Sequence, residues 1–165
     1  MASERFTAAL NAQIAREFAA AHQYVAIGAH YAAETFPQLS EFFYKQAEEE
    51  REHAMKMVNY LIDRGAQPDI GQVEAPRQSF ADHVEPIALA LEQERQVTVK
   101  ISEMFEIARE TRDYTSEQFM TWFLDEQVEE EAAMGDLLAV AERTVSVPML
   151  LEEYLARDKP GARPE

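Results

Sequence analysis

The sequence predicts an all-α protein, a four-helix bundle with one long crossover and a short fifth helix. Apolar residues recur at steps of three and four along four long stretches, which is the period of helices with one buried face. Glycine and proline are scarce and grouped between these stretches, where they end helices. One intervening segment is long enough to cross the bundle. Together these features predict two helical hairpins joined by the crossover.

The first predicted hairpin consists of the helices 3–34 and 37–65. Ser3 is a candidate N-cap, because a serine hydroxyl accepts a hydrogen bond from a free amide of the first turn. Pro37 marks the short turn into the second helix, and Gly65 ends that helix. The two helices are therefore expected to lie antiparallel.

The predicted crossover, 66–81, has no helical period and contains Pro68, Gly71 and Pro76. A second helix of roughly 28 residues is about 40 Å long. Roughly 16 extended residues reach about 50 Å. The third helix is therefore expected to start at the same end of the bundle as the second.

The second predicted hairpin consists of the helices 82–111 and 113–143. Pro86 is tolerated near the start of the first of these, because amides there have no helical partner. Asp113 is a candidate cap for the next helix. Segment 147–156 has an apolar side and forms the predicted fifth helix, and a disordered tail is expected at 159–165.

The composition restricts the classes of function. A chain of 165 residues suits one domain, which is predicted at 1–158. The absence of cysteine excludes disulfides, iron–sulfur clusters and thiolate zinc sites. A net charge of -16 repels nucleic acid and anionic membranes and attracts metal cations. Neither a signal peptide nor a membrane span of about 20 apolar residues is found, so a soluble cytoplasmic protein is expected.

Each long helix carries one glutamate within its apolar stripe. These are Glu17, Glu50, Glu94 and Glu130, and His53 follows one turn after Glu50. Burying an ionised carboxylate costs several kcal/mol, and a domain is stable by only about 5 to 15 kcal/mol. All four lie near the helix midpoints, which meet at one height in an antiparallel bundle. The pattern of four therefore predicts cations between the carboxylates. A single glutamate of this kind would instead be explained by a position at the edge of its apolar stripe, with its carboxylate in water.

At these residues the chain resembles the non-haem bacterial ferritins, and the resemblance covers almost its whole length. Its motifs are Glu50-Arg51-Glu52-His53, Arg16-Glu17-Phe18 and Gln127-Val128-Glu129-Glu130, with the acidic block Glu48-Glu49-Glu50, Tyr24 and the fifth helix. The resemblance implies a ferritin-like four-helix bundle. It also implies an iron store with ferroxidase activity in a hollow assembly of 24 subunits, with Fe(II) and dioxygen or hydrogen peroxide as reactants.

Differences between this sequence and two related families, the bacterioferritins and the rubrerythrins, favour the non-haem ferritins over both. Bacterioferritins and rubrerythrins carry a second Glu-x-x-His motif on the last bundle helix, where this chain has Gln127 and Glu130. The haem-ligating methionine of bacterioferritins follows the glutamate of the first motif, and here that residue is Arg51. Haem is therefore not expected. The rubredoxin module of rubrerythrins would need cysteines, which the chain lacks.

The resemblance also implies roles for the ligands of a dinuclear iron site. Glu50 bridges two metals, Glu17 and His53 complete the first position, and Glu94 and Glu130 complete the second with Gln127 nearby. Four carboxylates balance two Fe(II) ions, and they equally balance two Fe(III) ions with one oxide. Manganese or zinc could occupy the same ligands. The second position has only oxygen ligands and is expected to hold iron more loosely.

Further residues have alternative interpretations. In the family, acidic neighbours form a third iron site, for which Glu49, Glu126, Glu129 and Glu130 are the candidates here; the alternative is an ordinary solvated acidic face.

Tyr24 either hydrogen-bonds a ligand, supplies an electron or is a core tyrosine. Trp122 is interpreted as packing, and His22, His30 and His83 as surface histidines.

Two rival functions remain at this stage. One is a di-iron oxidase acting on an organic substrate, which would need a pocket beside the metals. The other is a passive metal-binding helical bundle without oxidase activity.

Overall fold

The computed structural model describes residues 2–158 and 160, in which five helices and no strand occur. The helices are α1 (Glu4–Ala33), α2 (Pro37–Asp63), α3 (Glu85–Glu110), α4 (Tyr114–Arg143) and α5 (Met149–Arg157). The all-α prediction is confirmed. Apart from Pro160, the predicted tail lies outside the described residues. None of the described helices is long and apolar enough to cross a membrane.

Two predicted caps are present, and one predicted helix start is wrong. The side chain of Ser3 accepts a hydrogen bond from the Phe6 amide at 3.2 Å, and that of Asp113 accepts one from the Ser116 amide at 3.2 Å. The third helix was expected to begin near Asp82 but begins at Glu85. Asp82 Oδ1 accepts from the amides of Val84 and Glu85, which holds 82–84 in a bend before the helix.

The crossover runs along α1 for most of the height of the bundle. The Asp69 amide donates to Asn11 Oδ1 at 3.0 Å near one end of α1. Further along, the side-chain amide of Gln23 makes two hydrogen bonds of 2.8 Å with the backbone of Arg77. The Tyr31 hydroxyl donates to the His83 carbonyl at 2.6 Å near the other end. The third helix therefore starts at the end where the second starts, as the length of the crossover predicted.

A polar layer divides the core into two apolar clusters. One cluster includes Tyr24, Phe43 and Leu137, and the other includes Leu10 and Met57. Along each long helix, the central glutamate lies between residues of one cluster and residues of the other. Full burial of a large apolar side chain contributes about 1.5 to 3 kcal/mol. The two clusters thus supply the stability that offsets the cost of burying the carboxylates between them.

The fifth helix packs against the N-terminus of α2. Leu151 is fully buried in the first apolar cluster. Glu152, only 5% exposed, accepts hydrogen bonds from the amides of Gln38 at 2.8 Å and Leu39 at 2.9 Å. Phe36, the N-cap residue of α2, makes no such side-chain bond. A carboxylate from α5 therefore caps α2.

Candidate metal centre

Glu17, Glu50 and His53 converge at mid-height between α1 and α2. One potential ligand atom from each lies within 4.8 Å of the others, and all three side chains are buried. His53 Nδ1 is 3.6 Å from Glu50 Oε2 and 3.9 Å from Glu17 Oε2. The i, i+3 spacing of Glu50 and His53 places both on one face of α2. These three residues are therefore brought together as the sequence predicted.

Glu94 on α3 and Glu130 on α4 are both buried, and both lie near enough to Glu50 for their charges to raise its pKa. The Tyr24 hydroxyl donates a short hydrogen bond to Glu94 Oε1, and Gln127 Nε2 donates to Glu94 Oε2 at 3.2 Å. The structure thus places Tyr24 and Gln127 in contact with the same predicted ligand. Tyr24 is fully buried and does hydrogen-bond a candidate ligand.

Burial raises the pKa of all four central carboxyl groups. Burial, and then the charge of Glu50, raises the pKa of Glu17 well above its usual value. Burial, and then the charge of Glu94, raises the pKa of Glu50 and raises that of Glu130 to about 8. Burial raises the pKa of Glu94 despite the hydrogen bonds from Tyr24 and Gln127. A divalent cation would favour the ionised carboxylates, since its charge offsets both the burial and the mutual repulsion that raise these pKa values.

Two buried glutamines that were given no role from the sequence donate to the carboxylates. Gln13 Nε2 is 2.7 Å from Glu17 Oε1, and Gln46 Nε2 is 2.7 Å from Glu130 Oε2. Gln13 was visible as a polar member of the first apolar stripe, one turn before Glu17. Gln46 gave no such signal, because its partner lies 84 residues away on another helix.

Among the four central carboxylates, Glu50 is distinguished by a buried oxygen without a hydrogen-bond partner. Its Oε1 atom is buried and makes no hydrogen bond. An unsatisfied buried carboxylate oxygen costs free energy unless something occupies it. Because Glu50 is grouped with Glu17 and His53 and also feels the charges of Glu94 and Glu130, this oxygen is suited to a metal ion.

The predicted third-site residues differ in their surroundings. Glu126 Oε2 is 3.8 Å from His53 Nε2, and its side chain is 29% exposed. Burial is the main cause that raises the pKa of Glu49, and the charge of Glu126 adds to it. Glu49 and Glu126 therefore lie close together beside His53. Glu129 is exposed.

Trp122 and the remaining histidines complete the predicted set. The ring centroids of Trp122 and His53 are 5.4 Å apart, so Trp122 packs directly against a candidate ligand. On Trp122, the ammonium nitrogen of Lys56 lies 3.3 Å from the ring centroid. His22 is exposed, as expected. His30 and His83 are instead partly buried, because they pack against Phe80 and Phe36 respectively.

Comparison with known proteins identifies the class of this fold and site. Residues 7–144 match the model of the ferritin-like domain. The chain aligns with an open pore ferritin from the archaeon Archaeoglobus fulgidus with a TM-score of 0.90 and 28% identity, covering 94% of this chain and 97% of that one.

Curated relatives agree with that class. The chain is 45% identical to ferritin BfrB of Mycobacterium tuberculosis over 93% of its own length and 85% of the relative. It is 43% identical to a bacterial non-heme ferritin of Staphylococcus aureus over 80% of each. The chain belongs to the ferritin family. Iron storage with ferroxidase activity is accordingly its function, and Glu17, Glu50 and His53 form a candidate iron site.

Proposed function

We propose that the ferroxidase reaction takes place at a dinuclear site within each subunit, with Glu50 bridging the two iron ions. Glu17 and His53 complete the first position, and Glu94 and Glu130 complete the second with Gln127 beside it. The observation that carries this proposal is the unpartnered, buried Oε1 of Glu50, a residue grouped with Glu17 and His53. Oxygen and imidazole donors suit iron, which here is the substrate.

The residues define what the protein contributes to the reaction. Each Fe(II) gives up one electron, so the pair supplies the two electrons that dioxygen or hydrogen peroxide accepts. The carboxylates lose their protons as Fe(II) enters, and four negative charges then balance two Fe(II) ions. The first position contains the only imidazole of the proposed ligand set, so the second is expected to release iron more readily.

Ferric product then moves inward over acidic residues. Glu49, Glu126 and Glu129, with Glu130 shared from the dinuclear site, are the proposed third site. The closeness of Glu49 and Glu126 to His53 supports it, because iron leaving the dinuclear site would meet these carboxylates next. Glu129 is the weakest member, since it is exposed.

The chain is proposed to assemble with copies of itself into a cage of 24 subunits in the cytoplasm, with the ferric mineral inside. The match to an open pore ferritin over 94% of this chain supports an assembly that surrounds a space. The exposed apolar residues near the start of α5, Val147, Met149 and Leu150, are suited to a contact between copies. No haem is proposed.

An oxidase acting on an organic substrate is less well supported. A cavity of about 540 Å³ is lined by residues of the α1–α2 turn and the start of α2, including Thr35, Ser40 and Tyr44. A second, of about 390 Å³, is lined by α1, α3 and the crossover. Neither is lined by a proposed iron ligand, so neither would place a substrate against the metals.

Mixing the metal-free protein with Fe(II) in air tests the ferroxidase proposal. We expect accelerated Fe(II) oxidation with a transient diferric absorbance, and slower oxidation by Glu50→Ala and His53→Ala. Glu129→Ala, on the exposed acidic face, should slow the reaction far less than either of these. Wild-type protein that oxidises Fe(II) no faster than buffer would overturn the proposal.

A further inference from the structure

Three of the four central carboxylates are each held at one oxygen by a glutamine amide. Gln13 donates to Glu17 Oε1, Gln127 to Glu94 Oε2 and Gln46 to Glu130 Oε2. Glu50 is the exception, with its Oε1 unpartnered. The three carboxylates with amide donors are those proposed to bind a single metal. The one without an amide donor is the proposed bridge.

We propose that Gln13 and Gln46 are positioning residues for the first and second iron positions respectively, an inference that rests on the proposed dinuclear site. Each amide occupies one carboxylate oxygen and leaves the other for iron. A carboxylate restrained in this way offers a single oxygen in a fixed direction, which lowers the cost of ordering it when metal binds. Among the described residues, Glu50 receives no amide hydrogen bond, so no glutamine competes with the metals for its oxygens.

The surroundings of Gln13 support this role. Gln13 is fully buried, and Arg16 Nη1 donates to its Oε1 at 3.3 Å. That contact directs the Nε2 end of the amide toward Glu17, where it makes the 2.7 Å bond. Gln13 and Glu17 are four residues apart on α1, so this support is local to one helix.

Gln46 acts across the bundle. It lies on α2 and is 7% exposed, whereas its partner Glu130 lies on α4. Its hydrogen bond therefore joins the two helical hairpins at the second iron position. No other donor to Glu130 is evident among the described side chains, so the orientation of this carboxylate depends on Gln46.

The neutrality of the donors is part of the inference. A lysine or arginine at either position would also satisfy a carboxylate oxygen, but its charge would compensate the charge that Fe(II) is to balance. An amide satisfies the oxygen and leaves the carboxylate charge for the metal. Four carboxylates and two Fe(II) ions thus remain matched.

Metal titration of the metal-free protein tests the inference without relying on oxidation. Zn(II) is titrated by calorimetry, and Co(II) by its visible absorption, into wild type, Gln13→Met and Gln46→Met. Methionine has a similar length and no donor. We expect two tight steps per chain in wild type, with Gln13→Met weakening the first and Gln46→Met the second by about 10- to 100-fold. The Co(II) spectrum of the unaffected step should be unchanged in each variant.

Gln118→Met, an exposed glutamine of α4, is the matched control and should titrate as wild type. Thermal unfolding establishes that each variant is folded, and Gln46→Ala, with the same expected loss, replaces Gln46→Met if that variant is not. Two tight steps in wild type that persist unchanged in the variants, or that weaken equally in both, would overturn this inference alone. Absence of tight steps in wild type would instead refute the dinuclear site.

Discussion

The ionisation of Glu130 contributes to the response of the metal-free bundle to pH. Burial and the charge of Glu94 raise its pKa from 4.5 to about 8. The folded state therefore binds a proton that the unfolded state releases between these pH values. The stabilisation from this proton is complete below about pH 4.5 and is lost as the pH rises through about 8, with a slope of about 1.4 kcal/mol per pH unit.

We predict that replacing Glu130 with glutamine removes this contribution. The melting temperature of the metal-free wild type should fall between pH 5 and pH 7.5, and that of Glu130→Gln should fall less steeply, because an amide does not titrate. Scanning calorimetry at several pH values measures both slopes. Glu129→Gln, a neutralised exposed neighbour, should keep the wild-type slope; equal slopes in all three proteins would contradict the prediction.

Tyr24 acts on the site through Glu94. Its hydroxyl is fully buried and donates to Glu94 Oε1, so phenylalanine would leave that oxygen without this donor. We predict that Tyr24→Phe weakens metal binding at the second position about tenfold, while changing the free energy of unfolding by about 1 kcal/mol. Zn(II) calorimetry and denaturant unfolding measure the two effects. Tyr44→Phe, at an exposed tyrosine, is the control; unchanged second-step affinity in Tyr24→Phe would refute the assigned role.

At the scale of the elements, Glu152 connects α5 to the start of α2. Its carboxylate accepts from the amides of Gln38 and Leu39 and supplies the cap that Phe36 does not. We predict that Glu152→Ala lowers the free energy of unfolding by about 1 to 2 kcal/mol. Hydrogen exchange at these two amides should accelerate, and Glu153→Ala, at the exposed neighbour, should change neither quantity. Unchanged exchange in Glu152→Ala would show that the cap is not formed in solution.

The helical elements were largely predictable from local patterns. The helical period appears in residues that are close in the sequence, so an apolar stripe predicts both the helix and any glutamate on its core face. One example is the stripe of Phe43, Ala47, Glu50 and Met57. The start of α3 was missed, since Asp82 binds the amides of a bend instead of beginning the helix. Gln46 was missed for another reason: its contact with Glu130 depends on how two distant helices pack.

At the scale of the whole molecule, two opposing features bear on assembly. A charge of -16 per chain makes copies repel one another unless contacts or bound cations compensate. Val145, Val147, Met149 and Leu150 form an exposed apolar run through the α4–α5 turn and into α5. Contiguous exposed apolar residues are typical of interaction sites, whereas isolated ones are common on any surface.

We predict that Leu150→Glu, which adds a negative charge within this apolar run, reduces the assembled fraction without disturbing the metal site. Leu150 is 46% exposed in the single chain, so glutamate is tolerated there until a second copy covers it. Light scattering measures particle mass, and Zn(II) titration checks the metal site. Val99→Glu is the matched control, because Val99 is 55% exposed but lies between the exposed Arg95 and Glu103 one turn away on either side. If Leu150→Glu gave particles of wild-type mass and stability, the contact between copies would have to lie elsewhere on the surface.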